Sequence, residues 1–189
     1  MATSTDRGST WEAPIQVSGG EGYAFFQGLD VTESGKVVVA YQVLNAIDPA
    51  IFGTGNARID AYAASKPAAG SWSTPVKINT ASSDPAVSAQ NNLQRQFWGD
   101  YSTLVATDAS AWFISTDSRT GAGCADVDAY QKFLRDNGLA LRGDMADRLS
   151  QRETSVNPAL ADPSVKPAPP AVCPAQFGNT DVFVTKFTP

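Results

Sequence analysis

Histidine is absent from this chain of 189 residues. Ser–His–Asp and Cys–His nucleophile systems are therefore excluded, as is every His-ligated zinc site. With only two Cys, a four-thiolate zinc site is equally out of reach. No metal or other cofactor is implied, and any chemistry must run on Asp, Glu, Tyr, Arg, Lys, Ser or Thr. Charge is scarce too, at 17% of residues, below the usual quarter. Lys plus Arg number 14 against 19 Asp plus Glu, a net charge of −5. No basic cluster stands out, and binding a phosphate backbone needs a basic face, so nucleic acid is not an expected partner. No apolar run is long enough for a membrane-spanning helix. Met1-Ala2-Thr3-Ser4 has neither the basic start nor the apolar run of a signal peptide. What the chain does have is 42% hydrophobic residues, 15 Gly and 12 Pro. That is core material and many turns, for one domain or at most two.

A repeat organises that material. Ser4-Thr5-Asp6-Arg7-Gly8-Ser9-Thr10-Trp11 precedes Glu12-Ala13-Pro14-Ile15-Gln16-Val17. In the same register, Ser65-Lys66-Pro67-Ala68-Ala69-Gly70-Ser71-Trp72 precedes Ser73-Thr74-Pro75-Val76-Lys77-Ile78. Leu29-Asp30-Val31-Thr32 and Lys36-Val37-Val38-Val39-Ala40-Tyr41 read as two strands around a Ser34-Gly35 turn. Leu104-Val105-Ala106-Thr107 and Ala111-Trp112-Phe113-Ile114-Ser115-Thr116 repeat that plan. A third strand at Arg58–Ala63 matches Thr180–Thr185, and the fourth follows each Trp. Four short antiparallel strands per unit is the plan of a propeller blade.

The first octapeptide fits S-x-D-x-G-x-T-W, the Asp-box, at every specified position. The chain thus resembles the sialidase-like (BNR) β-propellers; the second copy is degenerate, with Pro67 and Ala69 in the Asp and Gly places. In such a turn the carboxylate accepts backbone N–H bonds, Gly supplies a positive φ, and Trp packs between sheets. The resemblance places the box on the rim away from the active site, as a structural element. It implies an all-β fold of antiparallel four-stranded blades, here an incomplete ring with a helical, Pro-rich insert. The expected organisation is 1–20 as box and outer strand of a preceding blade, 21–80 as a complete blade, and 81–189 as a last blade interrupted by 120–178.

The insert has its own signals. Asp126-Val127-Asp128-Ala129-Tyr130-Gln131 opens a helix with Asp128 and Gln131 at capping-box spacing. Val127, Tyr130, Phe133 and Leu134 form its apolar stripe, and Asn137-Gly138 ends it. A second helix is expected from Asp144, followed by an extended return through six prolines between Pro158 and Pro174. Cys124 and Cys173 flank the segment, so a disulfide between them would clasp the insert; two unrelated thiols are the other reading. A bridge points to an extracellular protein. The insert reads either as a cover over a blade edge or as a lid or partner site.

Candidate chemistry gathers near Phe97-Trp98-Gly99-Asp100-Tyr101-Ser102-Thr103-Leu104. Sialidases employ a Tyr nucleophile with a Glu partner, an Asp acid/base and three Arg that clamp a carboxylate. Tyr101-Ser102-Thr103-Leu104 is similar to the context of that Tyr, which makes Tyr101, Asp100 and Arg119 the catalytic candidates. Trp98 and Arg95 are the binding candidates. The Arg-Ile-Pro element of the family's first Arg is missing, and Glu12, Glu21, Glu33 and Glu153 lack a catalytic setting. Tyr101 also reads as an inner-strand aromatic, Asp117-Ser118-Arg119 as a strand-end tie, and Trp98 and Trp112 as packing between sheets.

The expected function is therefore a secreted Asp-box repeat protein, glycoside-hydrolase-like or glycan-binding, with its catalytic set absent or incomplete. A non-catalytic lectin or a structural repeat is the alternative. Carbohydrate is the expected partner. Fewer than two blades cannot close a ring, so the chain is expected either to be part of a longer propeller or to assemble from several copies.

Overall fold

Val37-Val38-Val39-Ala40-Tyr41-Gln42-Val43-Leu44 is too uniformly apolar for a strand with one wet face, and its surroundings explain why. A computed structural model describes residues 1–19, 22–45, 57–91, 95–99, 101–136 and 173–189. There this segment is β2 (Val37–Leu44), between β1 (Tyr23–Val31) and β3 (Ile59–Lys66), and β4 (Val76–Lys77) completes a four-stranded antiparallel meander. β5 (Ala89–Asn91) and β6 (Arg95–Phe97) form a two-stranded sheet. β7 (Thr103–Ala106), β8 (Ala111–Asp117) and β9 (Asp181–Phe187) form a three-stranded antiparallel sheet. Helix α1 (Ala125–Asp136) and a 3-10 turn at Pro85–Val87 are the helical elements among the described residues. The chain is thus mostly β, built of antiparallel sheets.

The two larger sheets are copies of one plan. Val31 pairs with Val37 at the first hairpin and Ala106 with Ala111 at the second. Thr32 N donates to Lys36 O at 2.9 Å, and Thr107 N donates to Ser110 O at 2.8 Å. Tyr41 then lies opposite Tyr62, and Ser115 opposite Phe183. Strict alternation sends Leu104, Ala106, Ala111 and Phe113 inward, against Val38, Ala40, Ala61 and Ala63 of the first sheet. The opposite face of the first sheet holds Val39, Tyr41, Val43 and Ala64, covered by Val17 and Trp72. β2 is therefore buried on both sides. Burying Phe113 completely contributes about 2 kcal/mol or more relative to exposure.

Polar clamps lock the junction. Ala106 N donates to Asp30 Oδ2 at 2.7 Å, Ser34 Oγ to Asp108 Oδ1 at 2.6 Å, and Lys36 Nζ to Pro189 O at 2.9 Å. At the insert, the Cys124–Cys173 disulfide is formed, with Cα atoms 5.4 Å apart. Ala122 N donates to Gln176 O at 2.9 Å beside it. Asp126 and Asp128 lie in the first turn of α1, where carboxylates favour the helix N-terminus. Val127 and Tyr130 are buried, as the stripe requires. Asn137-Gly138, the helix expected from Asp144 and the Pro158–Pro170 stretch lie outside the described residues.

Two expectations are corrected. Residues 11–18 form no strand. Their backbone partners are Met1 and Thr3, through Ile15 N to Met1 O and Glu12 N to Thr3 O, which is too short a stretch for a ladder. Trp11 does not pack between sheets but is 65% exposed, whereas its counterpart Trp72 packs against the cluster of Val39, Tyr41, Val43 and Ala64. No described helix is long and apolar enough to cross a membrane.

Candidate functional site

β1 begins, β2 ends, β7 begins and β8 ends at one edge of the two sheets, and Trp98 is tied there through Gln42, with Tyr101 just before β7. The edge is irregular by construction. A bulge interrupts β1 between Phe25 and Gly28, and Phe26 takes a φ of 47°, a left-handed conformation that non-glycine residues seldom adopt. Ser102 Oγ donates to the Phe26 carbonyl at 2.6 Å. Trp98 Nε1 donates to Gln42 Oε1 at 2.9 Å, and Gln42 Nε2 donates to Thr116 O at 2.8 Å. Gly99, at φ 97°, lies so close to Thr116 that a Cβ would stand 2.9 Å from its hydroxyl. Only a glycine fits that crossing.

The result is an aromatic rim. Trp98 is half-buried and hydrogen-bonded, while Phe97, Tyr23 and Tyr101 are exposed, Tyr101 at 89%. Exposed aromatic faces are suited to stacking on an apolar ring face, and their polar tips remain wet. Asp100 lies outside the described residues. Arg95 sits in β6 opposite Asn91, and its side chain lies outside them too.

Arg119 is differently placed. Its Nε and Nη2 donate to Asp117 Oδ2 at 2.9 and 2.5 Å, its backbone N to Asp117 Oδ1 at 2.7 Å, and Nη1 to Thr80 Oγ1 at 3.2 Å. The guanidinium also lies 4.4 Å above the Phe183 ring. Hydrogen bonding to Asp117 raises its pKa above the ordinary arginine value. This is a strut between a strand end and the 80–81 loop. Trp98 is thus tied to Gln42, Tyr101 is exposed, and Arg119 is engaged by Asp117, Thr80 and Phe183. Of the described Glu residues, Glu33 lies in the β1–β2 turn at the far end of the sheet and Glu12 follows the N-terminal octapeptide.

That octapeptide is a closed turn. Asp6 accepts from Thr10 N at 2.8 Å and from Thr10 Oγ1 at 2.7 Å. Ser4 Oγ donates to Asp6 at 2.8 Å and accepts from Gly8 N at 2.7 Å. The Thr10 bonds, with Ser4 behind them, lower the Asp6 pKa to about 2. Arg7 and Gly8 both have positive φ, at 59° and 90°. In the degenerate copy the positive φ moves one position on, to Gly70.

Sequence reasoning missed Gln42 and Asp60. Gln42, the one amide side chain in β2, is buried and joins Trp98 to β8. Asp60 accepts from Lys77 at 2.6 Å, Ser82 at 2.7 Å, Asn79 at 3.0 Å and Asn45 at 2.7 Å. Burial alone would raise its pKa, but the bonds from Lys77, Ser82 and Asn79 outweigh burial and lower it. A polar residue inside an apolar strand was the available signal for both. Among the described residues no group of three or more Asp, Glu or Cys is gathered closely enough to hold a metal ion. No protein-family model, curated protein or solved structure matches this chain.

Proposed function

We propose that the chain is part of a sialidase-like Asp-box β-propeller that binds glycans through its aromatic rim without hydrolysing them. The observation that carries this reading is the Ser4–Trp11 turn, whose Asp, Ser, Gly and Thr make the bonds that the Asp-box pattern calls for. Its degenerate copy joins β3 to β4, the place such a turn holds in a four-stranded blade. Exposed Tyr101 and Phe97 beside hydrogen-bonded Trp98 supply the stacking surface for sugar rings. Engagement of Arg119 by Asp117 and the remoteness of Glu33 argue against hydrolysis.

A glycan array with the purified chain tests the reading, run beside a fluorogenic sialoside. Expected are binding that Tyr101→Ala abolishes with the circular dichroism spectrum unchanged, and an intact sialoside. Absence of binding to any glycan refutes the proposal. So does sialoside turnover that Tyr101→Phe removes, which would make the chain a glycosidase.

A further inference from the structure

We infer that the cleft between the first sheet and residues 15–18 binds a small uncharged molecule with an apolar body and one hydrogen-bond acceptor, which the Tyr41 hydroxyl holds. The inference does not depend on the glycan reading, since no residue of the aromatic rim lines this cleft.

The cleft grows out of an irregularity in the sheet. Phe25 pairs with Gln42 and Gly28 with Ala40, so Phe26 and Gln27 together stand opposite Tyr41. Two residues against one is a bulge, which interrupts the ladder and bends the strand. On its other side Tyr41 pairs with Tyr62, and the two rings stack with centroids 6.3 Å apart. Residues 15–18 form no strand and lie over this face, with Val17 packed against it. The space left is about 400 Å³, within the roughly 300–1,000 Å³ of small-molecule sites. Ile15, Val17, Ala24, Leu29 and Val39 wall it. Among the described residues no Lys, Arg, Asp or Glu side chain lines it, and the Met1 ammonium at its border donates to Ile15 O at 2.6 Å. A charged guest would lose its hydration there without gaining a partner, so the site suits a neutral one.

One polar atom in this apolar setting is left over. Tyr41 lines the cleft and is 4% exposed, and its hydroxyl has no hydrogen-bond partner. Burial pushes its pKa up, while the nearby Gly19 backbone N–H acts the other way. Gly19 follows Ser18, a lining residue, which sets the hydroxyl at that end of the cleft. An N–H can meet only the lone pairs of the phenol oxygen, so the hydroxyl proton still lacks an acceptor. Gln16 does not supply one, because its Nε2 is turned to Ser18 O at 2.8 Å. Buried donors are seldom left orphaned. A carbonyl or ether oxygen on the guest satisfies this one, with the apolar walls taking up the rest of the molecule. The register puts Ser115 at the corresponding place in the second sheet, so the phenol is particular to this cleft and is not part of the repeated plan.

Acetophenone and ethylbenzene share an apolar body and differ in one carbonyl. Titrated separately into the chain and followed by the methyl NMR signals of Leu29 and Val39, they test the inference. The ketone is expected to shift those signals and to bind about tenfold more tightly than ethylbenzene, as one neutral hydrogen bond would give. In Tyr41→Phe the ketone should fall to the level of ethylbenzene, whose own binding should not change. Tyr41→Phe should also melt no lower than the parent, because the hydroxyl it deletes makes no bond in the free chain. Leu29→Glu, at a half-exposed position on the cleft wall, should abolish binding of both compounds with the circular dichroism spectrum unchanged. Equal affinities for the two compounds, no shift with either, or binding that survives Leu29→Glu overturns the inference. A lower melting temperature for Tyr41→Phe also overturns it, since the hydroxyl would then be paired already. So do shifts that follow protein concentration instead of ketone, which would put a second copy of the chain in the cleft.

Discussion

Replacing Gly28 by alanine adds one methyl group where the two large sheets come closest. A Cβ there would lie 2.7 Å from Leu104 Cβ, 2.8 Å from Leu104 N and 3.1 Å from Thr103 C. Carbon atoms pack at roughly 3.5 Å, so β1 and β7 must separate by about 0.8 Å. Backbone is involved on both sides, and no side-chain rotation relieves the contact. Overpacking of this kind costs about 1–3 kcal/mol. The separation also strains the bonds on either side, Ala106 N to Asp30 at 2.7 Å and Ser102 to Phe26 O at 2.6 Å. Weakening them adds about 1 kcal/mol. A loss of about 3 kcal/mol corresponds to a Tm lower by about 6–12 °C for a domain of this size. Thermal unfolding followed by near-ultraviolet circular dichroism measures it. Gly123→Ala is the control, because a Cβ there meets its nearest neighbour at 3.8 Å. Equal Tm values for Gly28→Ala and the parent would show that β1 and β7 do not meet, and the packing argument would fail.

Three further outcomes are expected. Asp60→Ala strips an acceptor from Asn45, Asn79 and Ser82 and a partner from half-exposed Lys77; urea denaturation should show a loss of about 2 kcal/mol, discounted for the exposure of Lys77. Because the folded Asp60 pKa is lowered, its contribution is present above the ordinary carboxylate value and disappears as pH falls below it, so Asp60→Ala should flatten the acid limb of the stability curve. In a carbon-detected NMR titration Asp6 should titrate at about 2, and an ordinary midpoint would mean that the Thr10 and Ser4 bonds do not form in solution. Reducing the Cys124–Cys173 bridge, 49 residues apart, should lower stability by about 4 kcal/mol in the chain-entropy account; an unchanged urea midpoint with reductant would contradict it.

Legibility in the sequence followed the range of the forces involved. β2, β7, β8 and β9 were readable because alternation and turn residues act over a few positions. The Ser4–Thr10 turn was readable for the same reason, since Ser4, Asp6, Gly8 and Thr10 satisfy one another within seven residues. The disulfide was readable from the symmetry of its flanks. Residues 11–18 misled because their alternation matches β4's surroundings, yet a strand also needs a partner, and β4 has β3 while 11–18 have only Met1–Thr3. The β5–β6 pair was missed because it is short and polar. At the candidate site, the tie between Asp117 and Arg119 at the strand end was legible. Tyr101, read as an inner-strand aromatic, lies before β7 and outside any strand, and the remaining contacts of Arg119 were not legible. Its partners Thr80 and Phe183 are distant in sequence and meet it only through tertiary structure, Phe183 across the β8–β9 pairing.

The repeat itself explains why the site has a single location although the sheets are two. The apolar pattern is copied from the first sheet to the second, but the polar residues that lock the junction are not. Asp30 corresponds to Val105, Gln42 to Thr116, and Asp117 to Val43. Copied positions provide stacking that any neighbouring sheet of the same plan could use. Uncopied positions specify one junction, since an unmatched buried carboxylate or amide would cost more than it returns. Gln42 is the clearest case: one end of its amide holds Thr116 of the next sheet, and the other holds Trp98 in the aromatic rim. Replacing it with leucine would leave the indole N–H and the Thr116 carbonyl without partners while preserving apolar volume. The rim should therefore loosen more than the sheets, and hydrogen exchange at Trp98 should accelerate while the β2 and β8 amides stay protected. Uniform acceleration in both would mean that Gln42 is only a core residue and that the rim is held by something else.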